Sequence, residues 1–179
     1  MGEDRPYLVA LSGGVDSAVA AARLRQAGHS LVGVFMRNGI SGSAAKRSCC
    51  SLSDARDAAA VARSLDMPFY VHDLEQPFAR LIADFARDYA AGLTPNPCIA
   101  CHQQLEFGEL LALADDLACR GVATGHYAIV DEGRLYRARD AAKDQSYLLA
   151  GLQARQLQRA CFPLGRSTKA EVRAEARRR

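Results

Sequence analysis

The chain has 179 residues, of which 49% are hydrophobic and 24% are charged, and its formal net charge is +3. This composition is typical of a folded globular protein and excludes a disordered chain, and the small positive charge is only a weak indication of a polyanionic partner. The amino end has no signal-peptide pattern, and no apolar run approaches the length of a membrane span, so we expect a cytoplasmic protein.

The predicted elements alternate between strands and helices along the chain. Apolar runs predict strands at 7–11, 31–36, 69–74 and 122–124. Helical spacing and end signals predict helices at 15–27, 54–65 and 77–91, and a further helix that begins just after Cys101. Because this order produces right-handed βαβ crossovers, the sequence predicts an α/β fold, with a parallel sheet and helices on both faces.

The remaining segments predict loops, a small hairpin and a last helix. Residues 37–48 are rich in glycine and serine and predict a loop, after which Ser51 or Ser53 is expected to cap the next helix. Two prolines and one glycine exclude a helix at 92–97. The other predictions are a hairpin formed by 127–130 and 135–139, and a helix at 169–179.

A glycine turn follows the first predicted strand and opens the first predicted helix. Its sequence is Ser12-Gly13-Gly14-Val15-Asp16-Ser17. Adjacent glycines allow a close backbone approach, and the first N–H groups and the dipole of the helix favour an anion. The motif therefore predicts a phosphate site, although it is neither a Walker A loop nor a Gly-x-Gly-x-x-Gly turn. It resembles the signature of the PP-loop ATP pyrophosphatases; an ordinary glycine turn is the alternative.

A second motif places two cysteines three residues apart, in Thr94-Pro95-Asn96-Pro97-Cys98-Ile99-Ala100-Cys101. A helix N-terminus stabilises a thiolate, and Cys101 lies nearer than Cys98 to the predicted helix start, so Cys101 is the expected nucleophile. A half zinc site or a redox pair is the alternative, and Cys49 and Cys50 could add ligands. Adjacent cysteines suit one tetrahedral ion poorly, so no metal is assigned.

Without an export signal, the six cysteines are expected to be thiols rather than disulfides. No other cysteine lies at a spacing typical of a metal site or a redox pair from Cys119 or Cys161, and we expect both residues in the core.

Six sequence blocks occur in the order seen in the tRNA-specific 2-thiouridylases. They are the Ser12–Ser17 turn, Cys49-Cys50-Ser51 with Asp54 to Ala58, the Thr94–Cys101 motif, Ala123 to Tyr127, Lys143 to Leu148, and Phe162 to Gly165. The whole chain therefore resembles that family, whose members continue beyond this region. The resemblance implies a PP-loop, adenine-nucleotide α-hydrolase-like and Rossmann-like fold. It also implies that residues 1–179 form the catalytic domain, followed in the family by a middle domain and a C-terminal β-barrel.

The resemblance implies ATP-dependent 2-thiolation of the wobble uridine of tRNA, in which uridine O2 is adenylated and sulfur then arrives from a cysteine persulfide. ATP and Mg²⁺ are the implied cofactors, and the implied partners are the anticodon region of tRNA and a persulfide sulfur-donor protein. The family nucleophile falls on Cys101, with Cys98 as the second choice. Implied ATP contacts are Ala10, Leu11, Ser12, Gly13, Gly14, Val15, Asp16, Ser17, Met36 and Gly125. Implied tRNA contacts are Asn96, Pro97, Cys98, His126, Lys143, Asp144 and Gln145.

Two residues depart from the family pattern. The family has asparagine directly after the catalytic cysteine and lysine just before the following phenylalanine, whereas this chain has His102 and Glu106. A carboxylate near Cys101 disfavours its thiolate, and a protonated His102 would offset that effect.

The alternative functions are a non-catalytic ATP- or tRNA-binding module and another PP-loop ligase or tRNA thiolase.

Overall fold

The computed structural model describes residues 5–39 and 52–179. Most of the predicted loop at 37–48, together with Cys49, Cys50 and the possible cap Ser51, lies outside the described residues. No helix within the described ranges is long and apolar enough to cross a membrane.

Strands and helices alternate over most of the described chain. The strands are β1 (Tyr7–Ala10), β2 (Leu31–Arg37), β3 (Phe69–Asp73), β4 (Gly121–Ala123), β5 (Ala128–Asp131), β6 (Arg134–Arg137) and β7 (Ala160–Cys161). The α-helices are α1 (Val15–Gln26), α2 (Leu52–Ser64), α3 (Glu75–Ala90), α4 (Pro97–Cys101), α5 (Leu110–Asp116), α6 (Ala154–Leu157) and α7 (Lys169–Arg178). A π-helix (His102–Glu109) joins α4 to α5, and a 3₁₀ helix spans Ser146–Leu149.

The main sheet has the order β3-β2-β1-β4-β7, and all of its neighbouring strands are parallel. Successive residues of β1 point to opposite faces, and both faces are covered. Leu8 packs in a cluster with Leu110 of α5, whereas Val9 packs in another with Leu24 of α1. The predicted parallel sheet with helices on both faces is confirmed.

The small hairpin predicted after β4 is also confirmed, because β5 and β6 pair antiparallel. Glu132 and Gly133 connect them with φ values of 47° and 72°. Two consecutive residues with positive φ are typical of a type I′ turn, which suits the twist of the flanking strands.

The structure corrects the starts of two predicted helices and adds one strand that was not predicted. The helix expected to begin after Cys101 begins at Pro97, because Asn96 caps it and a proline fits the first helical position, where its missing N–H is not needed. Helix α3 begins at Glu75, since Pro77 is tolerated in a first turn. Strand β7 was not predicted, because two residues are too few to show alternation.

Helix α7 packs on α1 at the side of the sheet. Val172 of α7 and Val19 of α1 belong to one buried cluster. Arg23 of α1 forms an ion pair with Glu175 of α7 at 2.7 Å. The start of α7 is thereby held close to the start of α1, where the glycine turn lies.

Candidate functional site

The candidate site lies where the order of the sheet changes direction. The chain moves from β1 outward to β2 and β3, and then returns to the other side of β1 as β4. Ligands of open α/β sheets bind beyond the carboxyl ends of the strands at such a switch point. Here the segments that leave β1 and β4 are the Ser12–Ser17 turn and Thr124 to His126.

The Ser12–Ser17 turn has the backbone shape that its glycines permit. Gly13 has a φ of +75°, and a Cβ at this position would lie 2.6 Å from the Asp54 backbone oxygen of α2. Gly14 is the N-cap of α1, and within the described residues no side chain caps this helix. The first N–H groups of α1 are therefore available to an anion.

Ser17 stabilises the turn from inside. Its Oγ donates a hydrogen bond to the Gly14 carbonyl at 3.0 Å and accepts one from the Ser12 N–H at 3.2 Å. The Ser17 residue is 5% exposed, although it also lines the cavity described below. Its hydroxyl is therefore engaged in shaping the loop.

Gly125 lets the loop after β4 approach the start of α1. A Cβ on Gly125 would lie 2.8 Å from the Ser17 nitrogen and 2.9 Å from the Asp16 carbonyl carbon, both of which are backbone atoms. Any larger residue would push the two segments apart. Gly125 thus has a steric role in joining the two halves of the site.

Asp16 is held by two residues that are distant in sequence. Lys169 Nζ, at the start of α7, donates to both Asp16 carboxylate oxygens at 2.7 and 2.6 Å. The Tyr127 hydroxyl donates to Asp16 Oδ1 at 3.0 Å. Burial and this hydrogen bond to Asp16 raise the pKa of Tyr127, so the phenol stays protonated as a donor. Sequence reasoning missed Lys169.

A cavity of about 430 Å³ opens beside the turn. Its walls include many of the residues that the sequence singled out, namely Ala10, Leu11, Ser12, Asp16, Ser17, Met36, Cys101, Gly125, His126 and Gln145. The same walls contain residues that were not assigned a role in binding, namely Phe35, Asn38, Leu74, Phe78, His102, Leu105, Glu106 and Thr124. The site thus combines a polar end, at the glycine turn, with an apolar wall.

The two cysteines of the second motif occupy different environments. Cys101 lines the cavity and packs against a buried cluster that contains Leu81 and Leu105. Cys98 is exposed and lies nearer the start of α4, so the expectation that Cys101 is closer to the helix start is wrong. The position of Cys101 in the cavity, rather than its place in the helix, distinguishes it.

Neither Cys119 nor Cys161 lines the cavity. Cys119 is fully buried, and Cys161 is half-buried in β7. Burial raises the pKa of both thiols, which makes them poor nucleophiles at neutral pH. The prediction of a core position is confirmed for Cys119 and holds in part for Cys161.

The two departures from the family pattern meet in space beside His126. His102 and Glu106 project from one face of the π-helix, with 3.5 Å between His102 Nε2 and Glu106 Oε2. His126 comes from the loop after β4, and its Nε2 lies 2.9 Å from His102 Nε2. We call these three residues the His-Glu-His cluster. Its side chains are only 18%, 12% and 11% exposed.

Hydrogen bonds fix the orientation of both imidazole rings. His102 Nδ1 lies 2.6 Å from the Cys98 carbonyl and must donate to it, since a carbonyl only accepts. His126 Nδ1 lies 2.7 Å from Thr124 Oγ1, which can either donate or accept. The two Nε2 atoms therefore face each other, and only one of them can carry the proton between them.

Burial governs the charges in the His-Glu-His cluster. Desolvation raises the pKa of Glu106 to about 7, although His102 lowers it in part. Desolvation lowers the pKa of His126 to about 4, so this ring is neutral at physiological pH.

The other residues implied to contact tRNA lie outside the cavity wall or have a structural role. Asn96 Oδ1 accepts from the N–H groups of Cys98 and Ile99, as a helix cap. Asp144 holds a turn by accepting from the Ala138 N–H and the Ser146 hydroxyl. Pro97 is the first residue of α4, and Lys143 is exposed.

Gln145 orients the loop that carries His126. Its N–H donates to the Tyr127 carbonyl at 2.8 Å, and its Oε1 accepts from the Tyr127 N–H at 3.0 Å. Gln145 and His126 both line the cavity.

A parallel sheet with a glycine turn and an uncapped helix start at its switch point defines an α/β domain of the nucleotide-binding class. Residues 6–179 match the family model described as the tRNA methyl transferase HUP domain, and the chain belongs to this family.

The similar proteins carry the name that the sequence blocks suggested. The chain is 52% identical to the tRNA-specific 2-thiouridylase MnmA of Mycobacterium tuberculosis, over 96% of this chain and 48% of that protein. It is 50% identical to the protein of the same name from Mycobacterium sp. strain KMS, over 96% of this chain and 49% of that protein. The chain thus spans about half the length of these curated relatives. The predicted resemblance is confirmed.

A crystal structure from Methanocaldococcus jannaschii, described as a predicted subunit of tRNA methyltransferase, has the same fold. It matches 96% of this chain and 74% of its own chain, with a TM-score of 0.56 and 21% sequence identity.

Proposed function

We propose that this chain binds ATP and activates the wobble uridine of tRNA for 2-thiolation. The observation that carries this proposal is that one cavity joins the glycine turn, a thiol and a histidine, through Ser12, Cys101 and His126. The relatives that are 52% identical are named tRNA-specific 2-thiouridylases, which supports uridine as the target. A cytoplasmic location suits an enzyme that acts on tRNA.

The phosphates of ATP would be held by the Ser12–Ser17 turn. The absence of a side-chain cap on α1, within the described residues, leaves its first N–H groups for phosphate oxygens. Met36 and Gly125 lie in the same cavity, where an adenine or ribose would extend from the turn. Lys169 adds positive charge next to Asp16. A magnesium ion would compete with this ammonium group for the Asp16 oxygens, so Asp16 does not offer a ready-made metal site.

ATP would make the uridine oxygen a good leaving group. In the first step uridine O2 attacks the α-phosphorus, the bond to the β-phosphate oxygen breaks, and pyrophosphate leaves. In the second step the outer sulfur of a donor persulfide attacks uridine C2, the C2–O2 bond breaks, and AMP leaves with the oxygen. Helix N–H groups stabilise the charge that develops on the phosphates.

Cys101 would complete the sulfur transfer. After the second step the donor sulfur is still bonded to the sulfur on C2, and the Cys101 thiolate attacks the donor sulfur. The S–S bond to the uridine sulfur breaks, which releases 2-thiouridine and leaves Cys101 in a disulfide with the donor, to be reduced by a cellular thiol. Cys101 is suited to this role because it lines the cavity, whereas Cys98 is exposed.

The tRNA would approach from the side of α4. We assign His126 and Gln145, which line the cavity, to the base, and we assign Asn96, Pro97 and Cys98 at the start of α4 and the exposed Lys143 to the backbone of the anticodon loop. Asp144 would contribute by holding the turn next to Lys143. A contact between a basic side chain such as Lys143 and an RNA phosphate weakens as the salt concentration rises.

The test uses ATP labelled in its α-phosphate. We expect release of pyrophosphate and transfer of the labelled AMP group to the tRNA only when the chain is given both ATP and a tRNA with uridine at the wobble position, and not with a matched tRNA that has cytidine there. Binding of ATP and tRNA without pyrophosphate release would favour the non-catalytic module instead. Release of pyrophosphate with either tRNA would favour another PP-loop ligase or thiolase.

A further inference from the structure

The His-Glu-His cluster presents more acceptor atoms than donors. His102 gives its Nδ1 proton to the Cys98 carbonyl, so its Nε2 holds a lone pair when the ring is neutral. Glu106 Oε2 lies 3.5 Å from this Nε2, and Glu106 Oε1 lies 3.9 Å from His126 Nδ1. Among the described residues these two imidazole nitrogens are the basic groups nearest to the Glu106 carboxylate, and neither carries a fixed positive charge or makes a close hydrogen bond to it. A buried carboxylate in this situation favours a cation.

From these contacts we propose that His102, Glu106 and His126 bind one divalent transition-metal ion, of the type of Zn²⁺ or Co²⁺. One nitrogen or oxygen from each residue lies within 4.8 Å of the other two. Ligands of a tetrahedral ion with bonds of about 2.0–2.2 Å are separated by about 3.3–3.6 Å, so small side-chain movements complete the site. Two imidazoles and one carboxylate suit such a metal, whereas Mg²⁺ prefers oxygen ligands alone.

The surroundings of the two rings match those of metal-bound histidines. A ligating imidazole usually donates its other ring N–H to a carbonyl, a hydroxyl or a carboxylate. His102 Nδ1 has the Cys98 carbonyl at 2.6 Å, and His126 Nδ1 has Thr124 Oγ1 at 2.7 Å. Both Nε2 atoms are thus directed at the same point, and a metal between them would replace the single proton that they now share.

The site is formed by a π-helix. A π-helix has more residues per turn than an α-helix, and such segments are frequent at functional sites. Here it places His102 and Glu106 on one face at a spacing of four residues. All three ligands also line the cavity, so a remaining coordination position would be open to water or to a bound ligand. The proposal does not depend on ATP or tRNA.

Metal binding to the untagged protein tests this proposal. We expect one equivalent of Zn²⁺ in the absence of nucleotide, retention of the ion in excess Mg²⁺, and visible d–d absorption when Co²⁺ is used as the probe. Glu106→Gln and His102→Asn should each weaken binding by at least about 100-fold, while far-ultraviolet circular dichroism stays unchanged. His29→Asn, which removes an imidazole elsewhere, should bind as the wild type does.

Two results would overturn the proposal. One is a wild-type protein that takes up no more Zn²⁺ than the Glu106→Gln variant. The other is loss of the ion in a Cys98→Ser, Cys101→Ser double variant while His102→Asn retains it, which would assign the metal to the thiols.

Discussion

Lys169 Nζ lies 2.6 Å from Asp16 Oδ2, so the first residue of α7 is ion-paired with the second residue of α1. The two side chains are only 21% and 33% exposed, which limits screening of this pair by solvent. The pair brings a positive charge to the edge of the glycine turn, where the sequence motif contains no lysine. The turn of a Walker A loop has its lysine within the motif, whereas here a distant helix provides one.

Lys169→Met should weaken ATP binding by about 10-fold, because it removes a charge next to the phosphate site and leaves Asp16 without its cation. The measurement is the thermal shift produced by ATP, since a ligand that binds only the native state raises the apparent stability. Lys143→Met is the matched control, because Lys143 is exposed outside the cavity wall. Equal shifts in the two variants would contradict the placement of phosphate at the turn.

ATP should protect Cys101, but not Cys98, from a small alkylating reagent. Cys101 lines the cavity that we assign to the nucleotide, whereas Cys98 is exposed on α4. Peptide mass spectrometry after a short labelling pulse measures both sites in one sample, with Cys98 as the internal control. Protection of both cysteines to the same extent would point to a general change in α4 rather than to occupation of the cavity.

Gly125→Ala should destabilise the protein by about 1–3 kcal/mol and also reduce the ATP-dependent thermal shift. The added methyl group would meet the Ser17 nitrogen at 2.8 Å, and a backbone atom cannot move aside as a flexible side chain can. Urea unfolding gives the free energy of unfolding. Gly108→Ala is the control, because its Cβ would lie 3.4 Å from the Gln103 carbonyl oxygen and alanine favours a helix. A fully stable Gly125→Ala protein would disprove the steric argument.

Glu175→Gln should lower the free energy of unfolding by about 1–2 kcal/mol at pH 7 and by progressively less in acid. The hydrogen bond from Arg23 holds the pKa of Glu175 below its usual value of 4.5. Because the folded-state pKa is depressed, the contribution is complete above pH 4.5 and is lost as pH falls through the folded-state value.

Urea unfolding of the wild type and the variant from pH 7 to pH 3 checks this pH dependence. Asp84→Asn, which breaks an exposed ion pair with Arg87, is the control and should have little effect. A difference between wild type and Glu175→Gln that stays constant down to pH 3 would rule out the assigned titration.

The sequence predicted the parts of the site that depend on local chemistry. The glycine turn could be recognised because Gly13 needs a positive φ and α1 needs a start, and both requirements are visible within six residues. Cys101 and His126 were identified through sequence blocks, and both line the cavity.

The parts that were missed depend on distant contacts or on small changes in hydrogen bonding. Lys169 reaches Asp16 across most of the chain, so no spacing rule relates them. Each N–H of a π-helix bonds to the carbonyl five residues back instead of four, and the eight residues of this segment are too few for apolar spacing to distinguish it from an α-helix. As a result, His102 and Glu106 were recognised as departures, but their meeting with His126 was not foreseen.

The pairing partners of β1 also determine when the site can exist during folding. Tyr7 pairs with Leu31 on one side and with Gly121 on the other. Pairing with Leu31 closes a short loop. Pairing with Gly121 must wait until the polypeptide has been made past β4, and it is slow because closing a long loop costs more conformational entropy. The glycine turn is therefore synthesised early, yet its opposite wall arrives late. A nascent chain that lacks β4 has the phosphate motif but cannot yet form the cavity.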